Sequence, residues 1–254
     1  MPYARSRGFK IHYRIEGDGQ PLVLYHWSLA YLEVWEELGY VDKLKSKYRL
    51  ILVDALGHGK SDTPQGAAHY TLQMRVEDLI TVLDAENIPE SHYYGFSMGG
   101  WVGYGLALFA PERFKSIIIG GAHCFEQSMQ GLRDLLISGI ENGIDSFVRE
   151  YESIFGKQTP TQKKIIRKFD LQALLDVAQD RESLEAHFPK MPGDKMLFLA
   201  GEEDSTLEGV KKCHQQLPGS TLVTFPGLTH GGLCGSTDLV VSHIDRFIAD
   251  RPIS

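Results

Sequence analysis

A serine at a predicted strand-to-helix turn constrains the fold of this chain more than any other feature. Residues 92–94 predict a short strand, and residues 101–109 predict a helix. Between them, residues 95–100 read Gly-Phe-Ser-Met-Gly-Gly, the G-x-S-x-G pattern with a further glycine. Such a turn presents the serine hydroxyl outward. Glycines are needed on either side because a Cβ there would collide with the neighbouring strand and helix. Backbone N–H groups at the helix start can then stabilise an oxyanion, so Ser97 is a candidate nucleophile.

Strand and helix patterns alternate along most of the chain. Short apolar runs predict buried strands, and longer segments with apolar residues at helical spacing predict helices. This alternation predicts an α/β fold with a mostly parallel sheet flanked by helices. The predicted strands are residues 9–15, 21–25, 49–54, 92–94, 114–119, 195–200 and 221–225, and the predicted helices among them are residues 71–85, 101–109, 207–217 and 238–249.

The pattern changes near residue 125. Between residues 127 and 187 no strand pattern occurs, and helical patterns follow one another. We therefore expect a core domain formed by residues 1–124 and 192–254, with a helical cap inserted at residues 125–191. The predicted cap helices are residues 129–140, 146–155, 161–169 and 171–178.

Polar residues are expected to begin three of the cap helices. Thr159 precedes Pro160 and lies three residues before Gln162, which is the pattern of a capping box with proline at the first helical position. Asp145 and Asp170 are predicted to be N-caps of their helices.

Composition and charge limit the classes of partner. The chain has 254 residues, 43% hydrophobic residues and a formal net charge of −7, which argues against nucleic acid or an anionic membrane as the main partner. No apolar run is long enough to span a membrane, and the N-terminus shows no apolar core of a signal peptide. Cys124, Cys213 and Cys234 are odd in number and lack C-x-x-C spacing, so we expect a cytoplasmic protein without disulfides or a zinc site.

A serine nucleophile needs a general base and a carboxylate that orients it. His230 follows the last predicted strand and is flanked by glycines, which suits a side chain that leans over a pocket. Asp204 is the preferred acid, because the Gly-x-x-Asp spacing lets the chain turn off the preceding strand. Glu126 is the alternative candidate for the acid.

His12 and His92 are interpreted as surface or helix positions. The chain order is Ser, Asp, His.

With these residues in place, the chain resembles the α/β-hydrolase superfamily, in particular its small esterase, lactonase and cofactor-free haloperoxidase-like members with a helical cap. The resemblance covers almost the whole chain, and it implies that Ser97, Asp204 and His230 form the catalytic triad. The motifs that carry it are residues 17–24, the D-x-x-G-x-G-x-S segment at 54–61, the turn at 95–100, and residues 111–114, 201–204 and 227–230.

The resemblance also implies two backbone donors for an oxyanion. One is the N–H of Met98, and the other is the N–H of Ser28, in a loop where the family usually has His-Gly-x and this chain has His26-Trp27-Ser28. Trp27 thus replaces a glycine, and its indole is expected either to border the substrate pocket, favouring small acyl groups, or to pack into the core. Further residues predicted to line the pocket are His123, Cys124 and Phe125.

The expected activity is hydrolysis of a small carboxylic ester or lactone through an acyl-enzyme on Ser97. The same triad serves thioesterases, carbon–carbon bond hydrolases and perhydrolases, which motif spacing does not distinguish, and a ligand receptor on a hydrolase scaffold is a further alternative. No metal and no organic cofactor is implied. We expect a small-molecule acyl substrate and neither nucleic acid nor membrane as a partner; the motifs leave the oligomeric state open.

Overall fold

The computed structural model describes residues 2–253, and its centre is one eight-stranded sheet. The strand order is β1-β2-β4-β3-β5-β6-β7-β8; β2 runs antiparallel to β1 and β4, and every pairing from β4 to β8 is parallel. The strands are β1 Tyr3–Ser6, β2 Phe9–Glu16, β3 Gln20–Tyr25, β4 Tyr48–Val53, β5 Ser91–Phe96, β6 Phe114–Gly120, β7 Met196–Gly201 and β8 Thr221–Phe225.

Helices cover both faces of this sheet and fill the long segment between β6 and β7. All predicted helices are present, with ends shifted by a few residues. The α-helices are α1 Val34–Glu37, α2 Tyr40–Leu44, α3 Leu72–Ala85, α4 Met98–Phe109, α5 Gln130–Asn142, α6 Ile144–Phe155, α7 Pro160–Ile166, α8 Leu171–Val177, α9 Leu207–Gln216, α10 His230–Gly235 and α11 Thr237–Ala249; short 3₁₀ helices are Ala67–Tyr70, Pro111–Arg113, Glu185–Lys190 and Gly193–Lys195.

The central strands are continuous apolar runs because both faces of the sheet are covered. Every residue of β5 and β7 is buried. One hydrophobic cluster lies between the sheet and α3 and α4, and a second lies between the sheet and α2 and α11. Within residues 2–253 no helix is both long and apolar enough to cross a membrane.

The cap helices have a hydrophobic cluster of their own. Leu136, Phe147, Ile166 and Leu174 are buried together, and Leu29 from the loop after β3 packs into the same cluster. The hydroxyl of Tyr151 also donates to the backbone oxygen of Leu29 over 3.3 Å. The loop that carries Ser28 is therefore attached to the inserted helices. We propose that residues 125–191 form the cap.

Two of the three predicted N-caps are confirmed. Thr159 forms the capping box with Gln162, and the carboxylate of Asp170 accepts from the N–H of Ala173 over 3.0 Å. The prediction for Asp145 is wrong, because α6 begins at Ile144 after Gly143.

Two histidines are more buried than expected. His12 is fully buried, with its Nδ1 2.6 Å from Oδ2 of Asp54. His92 lies inside β5, with its Nδ1 2.7 Å from Oγ of Ser116. Their interpretation as surface or helix positions was wrong, since each ring finds a polar partner within the protein.

Candidate active site

Ser97 lies in a strained turn between β5 and α4. Its φ of 55° and ψ of −107° lie outside the regions that a serine normally adopts. Its N–H donates to the backbone oxygen of Gly120 over 2.8 Å, which ties the turn to the end of β6. A Cβ on Gly99 would lie 2.2 Å from the backbone oxygen of Tyr25, so only glycine fits there. This geometry is that of a nucleophile elbow, which presents a serine hydroxyl at the carboxyl edge of the sheet.

Asp204 and His230 meet at the same edge of the sheet. Asp204 follows β7, His230 begins α10 after β8, and Nδ1 of His230 is 2.7 Å from Oδ2 of Asp204. The other oxygen of Asp204 accepts from the N–H and the hydroxyl of Thr206 over 2.8 and 2.9 Å. Burial acts to raise the pKa of Asp204, but the hydrogen bonds from His230 and Thr206 outweigh it and lower the pKa. The carboxylate is thus held ionised against the imidazole.

The imidazole of His230 packs beside Phe96 and Gly121. Its ring centroid is 4.8 Å from that of Phe96, the residue before Ser97. A Cβ on Gly121, which has a φ of 57°, would lie 2.9 Å from Cε1 of His230. Because Nδ1 faces Asp204, the remaining ring nitrogen, Nε2, is the one available as a base.

The other acidic candidates do not share this setting. Glu202 and Glu203 are exposed, whereas Asp204 is buried. Glu126 is exposed as well. The structure therefore brings together Asp204 and His230 and leaves the alternative acid in solvent.

The two candidate oxyanion donors border one cavity of about 310 Å³. Met98 is the first residue of α4, so its N–H has no acceptor within the helix. Ser28 lies in the loop after β3, and both residues line the cavity. Residues of the core domain and of the cap complete the lining: Ala67, Tyr70, Thr71, Leu72, Arg75, Trp101, Met129, Val177, Gln179, Asp180, Arg181, Glu182 and Leu184.

Comparison with known proteins identifies the family. The profile of the alpha/beta hydrolase fold matches residues 20–175, more than half of the chain. The chain belongs to the α/β-hydrolase family. The sequence-based predictions of this fold and of a hydrolase are thereby confirmed.

Individual relatives align over nearly the whole of this α/β hydrolase. A cis-3-alkyl-4-alkyloxetan-2-one decarboxylase of Shewanella oneidensis is 26% identical, over 98% of this chain and 90% of its own. A pimeloyl-(acyl-carrier protein) methyl ester esterase of Nitrosomonas europaea is 27% identical, over 92% and 98%. The solved structure of an enol-lactonase from Burkholderia xenovorans LB400 has the same fold, with a TM-score of 0.82, 21% identity, and coverage of 98% of this chain and 100% of that one.

Trp27 of this α/β hydrolase packs against aromatic neighbours. Its indole is partly buried, and its ring centroid is 5.8 Å from that of Trp35 and 6.0 Å from that of Phe96, both edge to face. It is not among the residues that line the 310 Å³ cavity, and neither are Ser97 and His230. Beside it, the buried ring of His26 accepts from the N–H of Ala55 through Nε2 over 3.1 Å. These contacts favour packing over a role in bordering the substrate.

The remaining predicted pocket residues are also absent from the lining of the cavity. His123 is partly exposed, and burial, followed by the charge of Arg181, lowers its pKa. Cys124 is fully buried, with its Sγ 3.1 Å from Sγ of Cys213. Phe125 packs edge to face on Phe188, with 6.0 Å between ring centroids. Among residues 2–253 no cluster of three or more His, Cys, Asp or Glu side chains could hold a metal ion.

Sequence reasoning missed three large residues of the cavity lining: Arg75, Trp101 and Arg181. One signal was present, because Arg75 lies three residues after Leu72 and four before Leu79, on the apolar face of α3. A charged residue in such a position is buried if the helix packs as its pattern predicts. Arg181 has no comparable signal, since the chain near it is irregular.

Trp27→Gly is expected to lower the free energy of unfolding by about 3 kcal/mol, because it removes the indole from Trp35 and Phe96 and leaves a cavity. The preference for acyl-chain length should stay the same in the folded fraction. Thermal unfolding and an acyl-length series of kcat/KM, measured on one preparation, test this. Trp27→Phe keeps a ring at the contact and should lose clearly less stability. A shift of about tenfold or more toward bulky acyl groups, at unchanged stability, would show that the indole borders the substrate.

Proposed function

We propose that this protein is a serine hydrolase that cleaves a small carboxylic ester or lactone through an acyl-enzyme on Ser97. The observation that carries the proposal is the 2.7 Å hydrogen bond between Asp204 and His230, at the sheet edge that also holds the strained serine. The relatives support the substrate class. One is an esterase of a methyl ester, and another is named for an oxetan-2-one, which is a lactone. The cavity of about 310 Å³ favours a small substrate.

In the proposed mechanism, Oγ of Ser97 attacks the carbonyl carbon while Nε2 of His230 takes the hydroxyl proton. Asp204 holds the imidazole in the tautomer with a proton on Nδ1 and stabilises the cation that forms. The N–H groups of Met98 and Ser28 donate to the oxyanion of the tetrahedral intermediate.

The intermediate then collapses with loss of the alcohol. His230 gives its proton to the leaving oxygen, and Ser97 remains acylated. A water molecule, deprotonated by His230, attacks the acyl carbon through a second tetrahedral intermediate, which releases the carboxylic acid and returns the proton to Ser97. In a lactone the leaving alcohol belongs to the same molecule, so the product is a hydroxy acid.

Covalent labelling tests the proposal. A fluorophosphonate probe is expected to attach one group to Ser97 and to abolish hydrolysis of p-nitrophenyl esters, because it reacts with a serine that a neighbouring base activates. Ser97→Ala should take up no label, whereas Ser242→Ala, which changes an exposed serine of α11, should label normally. A screen over esters of graded acyl length, lactones and thioesters then ranks the substrates. Labelling elsewhere, with full activity of Ser97→Ala, would contradict the proposal.

We also propose a cytoplasmic location, which the three cysteines without C-x-x-C spacing support.

A further inference from the structure

Arg75 is a buried cation with an unused donor. Only 2% of its surface is exposed, and it lies on the face of α3 that packs against the core. Its Nε donates to the backbone oxygen of Tyr70 over 3.0 Å. Its Nη1 is buried and has no hydrogen-bond partner among residues 2–253. An unsatisfied donor on a buried charge is costly unless a ligand or a water molecule accepts from it.

Arg181 is a second buried cation and comes from the cap. It is 7% exposed, its guanidinium lies 5.0 Å from the ring centroid of Trp101, and its Nη1 donates to Oε1 of Gln127 over 3.0 Å. Its backbone pairs with Gln127 in an isolated antiparallel bridge. Its two neighbours in the chain, Asp180 and Glu182, are exposed, whereas Arg181 is buried.

Arg75 and Arg181 line the same cavity as the candidate oxyanion donors Met98 and Ser28. These two residues are the cavity arginines. One comes from the core domain and one from the cap. A ligand that contacts both would therefore lie between the two parts of the protein, in a cavity that Met98, the residue after the candidate nucleophile, also lines.

No acidic side chain of residues 2–253 forms an ion pair with either cavity arginine. The carboxylate of Asp78, one turn along α3, is held by Arg7 over 2.9 Å. Asp180 is held by Arg133 over 2.8 Å. Asp180 and Glu182 also line the cavity, but both are exposed. Within residues 2–253, neither buried guanidinium is thus neutralised by an ion pair.

The charge of Arg181 persists at neutral pH. Burial, together with the charge of Arg75, lowers the pKa of Arg181 to about 10, which leaves its guanidinium protonated. Burial raises the pKa of Tyr25 to about 12 although the charge of Arg75 acts to lower it, so this neighbouring phenol stays neutral. An anion bound between the cavity arginines would offset both their mutual repulsion and the free-energy cost of their burial.

We propose that the cavity arginines bind a carboxylate of the substrate, so that the substrate is an ester or lactone that carries a second, ionised carboxyl group. Two planar guanidinium groups match the two oxygens of a carboxylate. The turnover part of this inference rests on the proposed hydrolase function, whereas the binding part does not.

Binding is measured first, on Ser97→Ala protein, which cannot turn the ligand over. Monomethyl glutarate carries an ester and a carboxylate, and methyl glutaramate is its neutral isostere. Isothermal titration calorimetry is expected to show at least about tenfold tighter binding of the anion, since a charged hydrogen bond contributes more than a neutral one. Equal affinities would overturn the proposal. Tighter binding of the phosphonate analogue than of the carboxylate would overturn the assignment of the anion.

Variants of the two cavity arginines test whether these residues bind the anion. Arg75→Gln and Arg181→Gln, each in the Ser97→Ala background, should lose most of the preference for the anion, and Arg181→Lys should keep part of it. Arg113→Gln is the matched control, because it removes a partly buried arginine that pairs with Asp84 instead of lining the cavity. If Arg75→Gln fails to fold, Arg181→Gln alone decides the point. A preference that survives in folded Arg181→Gln would contradict the proposal.

Turnover separates this inference from the proposed function. In the enzyme with Ser97 intact, kcat/KM for the anionic ester should exceed that for the neutral isostere by about tenfold or more, and the ratio of the two should fall toward one in Arg181→Gln. Tight anion binding without hydrolysis of any ester would refute the hydrolase and leave the carboxylate site. Hydrolysis of both esters at equal rates would refute the carboxylate site and leave the hydrolase.

Discussion

Replacing Ser97 with alanine is expected to abolish ester hydrolysis while the fold is retained. Members of a triad act as a unit, so the fall in kcat should be on the order of 10⁶, and His230→Ala should have a similar effect. The double variant should be little worse than either single one, because each already removes the nucleophile–base pair. The measurement is kcat on a p-nitrophenyl ester, with circular dichroism and thermal unfolding of each variant.

The strained backbone at Ser97 provides a sharper control. Alanine keeps a Cβ at a φ of 55° and should leave stability within about 0.5 kcal/mol of the wild type. Glycine adopts positive φ without strain, so Ser97→Gly should be equally inactive and at least as stable as Ser97→Ala. Appreciable turnover by either purified variant would contradict the mechanism. A large loss of stability in the glycine variant would contradict the conclusion that the backbone at Ser97 is strained.

The elements that were predicted correctly from the sequence are those that neighbouring residues in the chain specify. The central strands are apolar runs, and the elbow is specified by glycines that lie next to Ser97. Strand β1 was missed because its sequence, Tyr-Ala-Arg-Ser, places only alanine and serine on the buried side, which gives no apolar alternation. Helix α10 was missed because three of its six residues are glycine; the hydroxyl of Thr229, accepting from the N–H of Gly232, helps to begin it.

The candidate triad was accessible to sequence reasoning because each member follows a recognisable strand. The carboxyl ends of parallel strands meet at one edge, so residues just after β5, β7 and β8 converge there. The cavity was not accessible in this way. Its lining combines one face of α3 with an irregular segment of the cap, over 100 residues apart in sequence, and only the packing of cap on core brings Arg75 and Arg181 to the same space.

Asp204→Asn is expected to lower kcat by about 10⁴-fold, although the substitution changes one oxygen to nitrogen. The asparagine oxygen would keep the hydrogen bonds from the N–H and hydroxyl of Thr206, which turns its NH₂ group toward His230. Nδ1 of the imidazole must then accept, so the ring proton moves to Nε2, which can no longer take the proton of Ser97. Glu203→Gln and Glu126→Gln are controls at exposed carboxylates and should have little effect. If Glu126→Gln proves the damaging change, the acid follows β6 instead of β7.

The stability of the same variant supplies an independent readout of the Asp204–His230 contact. The folded protein lowers the pKa of Asp204, so it favours the ionised form, and the stabilisation that this provides is complete above the ordinary aspartate pKa of about 4. It is lost as the pH falls further, through the lowered pKa of the folded state. The difference in free energy of unfolding between wild type and Asp204→Asn should therefore be constant near neutral pH and shrink in acid. Denaturant unfolding from pH 7 to pH 3 measures it. A difference that grows in acid would mean that Asp204 is protonated in the folded protein, and the proposed role in orienting His230 would be wrong.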